Sequence, residues 1–355
     1  MDEIQEIDLR RHRLDNMAPC AIYGVLGKRG TGKSVTAQYI TSQLSDEGVP
    51  RFSVFCGNKD NMHDWARIVP PLYVHDKNIS IIENIVKDQN SRVSDIRGPF
   101  EEQQRRLIHE NPHHKFREFK VPMDLRMCII LDDVGSDKNF MNHKVIKDLC
   151  SNGRHYGIDL ILILQYYTQL APENRLQLDY PLIMKTFNEK AVANVHTEYV
   201  TTSCCSFKLF KCVLSSCTSQ LGWCLLIDNK KCETELTKRV FCVKVPYPAR
   251  RTYVGSEEYI EYSRQHYLSE LRQKQHKKHQ QNQVPSIDQV PSSDEEDEYE
   301  PARNSRRNHH RSNHQFSTVS LNQRSSLNMD VLNKGRHKFN TGKRGRDFHI
   351  RLPIG

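Results

Sequence analysis

The sequence predicts an α/β fold with a mainly parallel central sheet, and three observations carry that prediction. Short apolar runs alternate with longer mixed segments of helical spacing through the first 250 residues. Residues 127–131 and 158–164 are almost wholly apolar, as strands covered on both faces are. A Gly-rich turn joins the first apolar run to the first helical segment, where an open parallel sheet binds anions.

The elements follow in chain order. Residues 21–26 form an apolar run that feeds the Gly-rich turn, and 33–44 read as a helix. RFSVFC at 51–56 is rich in aromatic and β-branched residues and reads as a strand. Residues 81–110 look helical but highly charged, with a break expected at Gly98-Pro99 and an end at Pro112. Residues 127–131 form a buried strand running into two carboxylates. Val145, Ile146 and Leu149 lie at helical spacing within 139–155, which Gly153 helps to end. Strands follow at 158–164 and 181–187. The runs 207–214, 223–227 and 240–245 read as strands without intervening helices, which extend the sheet or build a β-rich, Cys-containing extension over 200–250. Residues 251–282 read as a basic helical arm. From 283 to 355 the chain is too poor in apolar residues to offset its ordering entropy, so an acidic and then basic disordered tail is expected.

Charge and cysteine narrow the class. The formal net charge is +9, yet residues 301–355 hold twelve Lys or Arg against two acids, whereas residues 1–300 hold 40 against 41. The positive excess therefore belongs to the tail. No apolar run approaches the roughly 20 residues that span a bilayer, and the charged amino terminus lacks a secretory pattern. An intracellular chain with reduced thiols is expected. Seven of the eleven cysteines fall between Cys204 and Cys242, but none forms a Cys-x-x-Cys pair; buried free thiols are expected there in preference to a metal.

Gly27-Lys28-Arg29-Gly30-Thr31-Gly32-Lys33-Ser34 fits G-x-x-x-x-G-K-[ST], the Walker A pattern. Glycines let backbone N–H groups wrap an anion and the helix start adds its positive end; Lys33 reaches the β and γ phosphates, and Ser34 ligates Mg²⁺. Lys28 and Arg29 read equally as solvated charges or as phosphate or DNA contacts. Asp132 and Asp133 close the buried run CIILDD at the carboxyl end of a strand, facing the same crevice. Asp132 is expected to hold Mg²⁺ through water, and Asp133 to orient or activate the attacking water. Gln165, ending the run 158–164, reads as a γ-phosphate sensor or as the first residue of a loop. Arg154 and Arg175 each read as an arginine finger or DNA contact, or as an ordinary surface or ion-pair residue.

The set GKRGTGKS, CIILDDV, NGRHYGIDLILILQ and LAPENRLQLDY resembles the genome-packaging ATPases of large nucleocytoplasmic double-stranded DNA viruses, the poxvirus-type branch of the FtsK/HerA superfamily. The resemblance spans about residues 20–190. It implies a RecA-like P-loop NTPase core with an additional strand, ATP and Mg²⁺ as ligands, and a homo-oligomeric ring such as a hexamer. It further implies ATP-driven movement of double-stranded DNA into preformed capsids, with capsid or portal-like vertex proteins as partners, at viral assembly sites in the host cytoplasm or in the virion. On it, Lys33, Ser34, Asp132, Asp133 and Gln165 occupy the nucleotide, metal, base and sensor positions. Asp133 departs from the Glu found in many relatives and is one methylene shorter. The competing readings are a helicase or translocase of the same superfamily in replication or segregation, and a nucleotide-dependent DNA or capsid adaptor without motor activity.

The near-neutral part up to residue 300 shows no cationic stripe for DNA. The tail does: RNSRRNHHR and KGRHKFNTGKRGRDFHIR mix basic residues with Phe339 and Phe348, suiting attachment to DNA or an acidic capsid surface. The acidic run 294–300, preceded by Ser292 and Ser293, is placed to compete with DNA for those cations.

Overall fold

The computed structural model describes residues 4–9, 17–186, 188–200, 205–231, 235–246, 252–281 and 348–353. Its elements are β1 (Ile4–Leu9), β2 (Ile22–Leu26), α1 (Lys33–Asp46), β3 (Arg51–Cys56), α2 (Lys59–Trp65), β4 (Val74–Asp76), α3 (Ile79–Glu110), β5 (Met127–Asp132), α4 (Lys138–Met141) and α5 (Lys144–Asn152). There follow β6 (Ile158–Leu164), α6 (Pro172–Arg175), β7 (Tyr180–Ile183), α7 (Glu189–Val195), α8 (Phe207–Cys217), β8 (Trp223–Ile227), α9 (Leu236–Arg239), β9 (Val240–Lys244), α10 (Glu257–Gln281) and β10 (Phe348–Pro353).

Eight strands make one sheet in the order β4-β3-β5-β6-β2-β7-β8-β9. Neighbours pair parallel from β4 through β7, and β8 and β9 add antiparallel pairs at one side. The strand leading into the Gly-rich turn, β2, is separated from the acid-bearing β5 by β6, so the core is of the additional-strand, RecA-like P-loop type. Burial alternates across the sheet as the two-residue period requires. In β5, Met127, Ile129 and Leu131 join the core under α3, α5 and α8, while Cys128 and Ile130 join the core under α1 and α2. In β6, Leu160 and Leu162 face the first core and Ile161 and Ile163 the second. Both cores are needed to make such apolar strands soluble.

Two carboxylates, Asp159 fully buried and Asp179 half-buried, position the start of β2. Asp159 accepts from the Ala21 N–H (3.0 Å) and Asp179 from the Ile22 N–H (2.9 Å). Asp159 is in turn paired with Arg126 at 2.6 Å, both side chains being almost fully buried. At the far end of the core, α10 is fixed by Tyr259, which donates to the Phe52 carbonyl and stacks on Tyr73 at 4.0 Å between ring centroids.

The structure departs from the sequence expectations at several places: the strand expected over 181–187 is the shorter β7, and α9 stands between β8 and β9 where no helix was expected. Residues 207–214 belong to helix α8: Ser206 caps it by accepting from the Leu209 N–H, and Phe210, Val213, Leu214 and Cys217 fall on one buried face at helical spacing. The expected break at Gly98-Pro99 is absent, and α3 runs through Pro99. Gly98 has no Cβ to clash with the proline ring, and this part of the helix is mostly solvent-exposed. Cys217 and Cys242 are joined as a disulfide, with Cα atoms 5.8 Å apart, where free thiols were expected. Cysteine spacing along the chain does not say which thiols the packing of α8 against the sheet brings together. Cys204 and Cys232 lie outside the described residues, and no cluster of metal-ligating side chains occurs among those described. Finally, within the tail, β10 pairs antiparallel with β1; the rest of 283–355, including the acidic run, lies outside the described residues.

Phe210 is fully buried between α8 and the sheet. Phe210→Ala should lower the unfolding free energy by about 3–5 kcal/mol in urea titration, as truncation of a fully buried aromatic does; an exposed position would give far less.

Candidate nucleotide site

Parallel pairing brings the carboxyl ends of β2, β3, β5 and β6 to one edge of the sheet. The turn after β2 runs from Gly27 to Gly32 and leads directly into α1 at Lys33. Gly30 (φ 78°) and Gly32 (φ 92°) adopt left-handed conformations that side-chain-bearing residues rarely take. Thr31 Oγ1 and Lys33 Nζ both donate to the Lys28 carbonyl at 2.8 Å, drawing the turn into a closed loop. Arg29, Gly30, Gly32, Lys33 and Ser34 line one cleft with Asp132, Asp133 and Gln165. Lys28 lines a separate, mainly apolar hollow with Met184, Tyr167 and Val192, so the structure divides the two adjacent cations.

Asp132 ends β5 and is only 2% exposed. Its Oδ2 accepts from the Trp65 indole N–H at 2.8 Å. Burial pushes its pKa up to about 6; the Trp65 hydrogen bond and the charge of Lys33 oppose the rise, and the charge of Asp133 adds to it. Burial likewise lowers Lys33, an effect countered by Asp132 and Asp133.

Asp133 leaves the strand with φ 55°, a strained value for a residue with a side chain. Both of its carboxylate oxygens are engaged. Gln165 Nε2 donates to Oδ1 at 2.7 Å and Asn58 Nδ2 donates to Oδ2 at 3.0 Å. Asn58 cannot readily turn, because its own Oδ1 caps α2 by accepting from the Asn61 N–H at 2.8 Å. Gln165 is held from below by Gln169, whose Oε1 accepts from the backbone N–H groups of Gln165 and Tyr166. The chain leaving β3 passes so close that a Cβ on Gly57 would lie 2.1 Å from the Asp133 carbonyl oxygen. A side chain there would displace the acidic turn.

The two arginines behave differently. Arg175 is turned into its own chain: Nε donates to the Leu170 carbonyl at 2.8 Å, Nη1 meets Glu198 at 3.2 Å, and the guanidinium lies over the Tyr167 ring at 4.7 Å. Of the readings open to it, this geometry matches the ion-pair residue. Arg154 is exposed in the 153–156 turn before β6, while Gln165 follows the end of that strand. A seven-residue strand separates them by about 20 Å, so Arg154 is not brought to this cleft.

Asn58, Asn61, Gly57, Trp65 and Gln169 were not singled out from sequence. Asn58 was legible, because the rule that places Asp132 at a strand's carboxyl end applies equally to the residues after RFSVFC. Trp65 was not; its contact with Asp132 spans 67 residues and exists only when α2 folds over β5.

The residues fit a polyphosphate with a divalent cation. Left-handed glycines open the backbone N–H groups, α1 points its amino end at the cleft, and Lys33 adds charge. Ser34 and Asp132 are hard oxygen donors of the kind Mg²⁺ takes, together with water. Asp133 is a carboxylate within the same cleft that can accept a proton from water.

Trp65→Phe removes the donor to a carboxylate that stays buried. A loss of about 1–3 kcal/mol in unfolding free energy is expected from the unmade hydrogen bond, measured by urea denaturation near pH 7.

No family model matches the chain. Among solved structures, the DNA-packaging ATPase B204 from Sulfolobus Turreted Icosahedral Virus is similar over 65% of this chain and 100% of that one, at 14% sequence identity and a TM-score of 0.42. Among curated proteins, "Uncharacterized protein L437" of Acanthamoeba polyphaga mimivirus is 25% identical over 278 residues, covering 78% of this chain and 88% of that one. "Uncharacterized protein 075L" of Invertebrate iridescent virus 6 is 30% identical over 246 residues, 68% of this chain and 84% of its own length. Sustained over most of both sequences, that identity shows that the chain belongs to the viral protein family of 075L.

Proposed function

We propose that the chain is an ATPase that drives double-stranded DNA into preformed capsids of a large DNA virus, acting as a homo-oligomeric ring at assembly sites in the host cytoplasm. The observation that carries the enzymatic part is the convergence of Lys33, Ser34, Asp132, Asp133 and Gln165 on one cleft from three different strand ends. The packaging part is supported by the order and spacing of GKRGTGKS, CIILDDV, NGRHYGIDLILILQ and LAPENRLQLDY, and by relatives encoded by an iridescent virus and a mimivirus. The poxvirus-type branch is a finer assignment than these relatives support. No helix among the described residues is long and apolar enough to cross a membrane.

In this reading the loop from Gly27 to Gly32, with Thr31 bracing it, wraps the β and γ phosphates, and Lys33 faces them. Arg29 adds charge at the rim. Ser34, and Asp132 through water, would hold Mg²⁺, which when bound offsets phosphate charge in the transition state. Asp133 orients the attacking water and takes its proton; each of its oxygens already accepts one amide hydrogen bond and keeps a lone-pair site for the water. Gln165 is the amide free of a capping role, so it is the one able to exchange Asp133 for a γ-phosphate oxygen. Arg154, exposed at the opposite edge, is left for a neighbouring subunit or DNA.

Lys33→Ala should abolish ATP turnover and weaken nucleotide binding. Asp133→Asn should keep binding and lower turnover by about 10²-fold or more, as loss of a general base does. Duplex-stimulated turnover in the wild type, together with empty capsids when Lys33 is replaced in the virus, separates a packaging motor from the alternatives. Nucleotide binding without turnover would favour an adaptor, and strand separation without capsid association a helicase.

A further inference from the structure

Helix α3 is longer than the sheet it covers. It starts after β4 at the phosphate edge and runs against the strand direction. By Gln89 it has reached the opposite edge, where the Gln89 amide donates to the carbonyls of Leu125 and Tyr156, each at 2.7 Å, just ahead of β5 and β6. Arg97 donates to the His155 carbonyl at the same edge. Residues 98–110 then continue for about 20 Å beyond these anchors. Among the helix residues beyond Val93 only Gln104 is buried, and its Oε1 accepts from the Arg117 N–H of the returning segment at 3.2 Å. Phe119 of that segment packs on Phe100 and under Arg97. Helix and returning segment thus brace one another as a projecting arm.

The arm is cationic where the sequence up to residue 300 is balanced. From 98 to 120 it holds Arg105, Arg106, Lys115, Arg117, Lys120 and three histidines against Glu101, Glu102, Glu110 and Glu118; the positive excess lies in 103–120, where the five cations meet only Glu110 and Glu118. All five cationic side chains belong to exposed residues, and only Arg106 has an ion-pair partner, Glu102, among the described residues. Phe116 stands 61% exposed between Lys115 and Arg117. Read along the chain, these cations are offset by Glu101, Glu102, Glu110 and Glu118, so no cationic stripe stood out there.

We propose that this arm contacts the phosphate backbone of double-stranded DNA, at the sheet edge opposite the nucleotide cleft. Exposed cations that lack an ion-pair partner among the described residues, spread along a rod, suit a repeating polyanion better than a shaped protein surface. The inference rests on the reading of the chain as a DNA motor and names the surface that motor uses.

The test uses the full chain, so the basic tail contributes equally to all samples. Replacing Arg105, Lys115 and Arg117 with Gln together should make log Kd for a random-sequence duplex less steep against log salt by about 2–3. Duplex-stimulated ATP turnover should be lost, with DNA-free turnover unchanged, and the same positions changed to Lys, Arg and Lys should restore both. An unchanged salt slope with stimulation intact overturns the arm and leaves the ATPase reading standing. Weakened binding to polyglutamate with duplex binding unchanged overturns it in favour of an acidic protein partner. Wild-type protein that neither binds duplex nor hydrolyses ATP overturns both inferences.

Discussion

Parallel pairing of β3, β5, β6 and β2 obliges four strands to leave the sheet at one edge, and the chemistry of this protein depends on that constraint. A sheet covered by apolar cores on both faces offers polar groups a place only at its ends. The glycine loop, the paired acids, Gln165 and Asn58 are gathered there from segments more than 100 residues apart because each directly follows, or ends, a buried strand. No side chain has to travel far to reach the cleft.

The gathering has a cost that is visible in the structure. Asp132 is buried to the point that its ionised form is disfavoured, and it retains a partner in Trp65. Asp133 holds a left-handed backbone, and Gly57 leaves no room for a side chain beside it. These departures from ordinary local preference cluster around one carboxylate pair, as expected where a site is held against its own strain. Elsewhere the core follows the rules: strand residues alternate between two apolar faces, and buried charges such as Arg126 and Asp159 are paired.

The opposite edge of the sheet has a different character. The Arg126–Asp159 pair anchors the start of β2 there, Gln89 ties α3 to the turns before β5 and β6, and Arg154 is exposed in one of those turns. Strand β6 runs from this edge to Gln165 at the other. The same short strands therefore separate, and physically join, the glycine-loop cleft and the projecting end of α3.

Much of this was legible in the chain. Arg51–Cys56 was read to the residue, and the strand before the glycine loop, the acid-ending strand and the strand before Gln165 were placed to within a residue or so. Uninterrupted apolar runs and glycine spacing are local signals, and local physics sets them. Helix α8 was misread because Cys and Ser residues blur its period, although Phe210, Val213, Leu214 and Cys217 share one face once it is formed. Contacts between distant segments left no local trace. Trp65 on Asp132, Cys217 on Cys242, Glu198 on Arg175 and the two halves of the arm depend on which surfaces meet after folding. The sequence thus determines the glycine loop, the acid-ending strand and the strand before Gln165, because they are continuous stretches of backbone and adjacent side chains. Their orientation, the satisfaction of Asp133 by two amides, and the internal use of Arg175 were decided by tertiary packing, because each requires partners from separate elements.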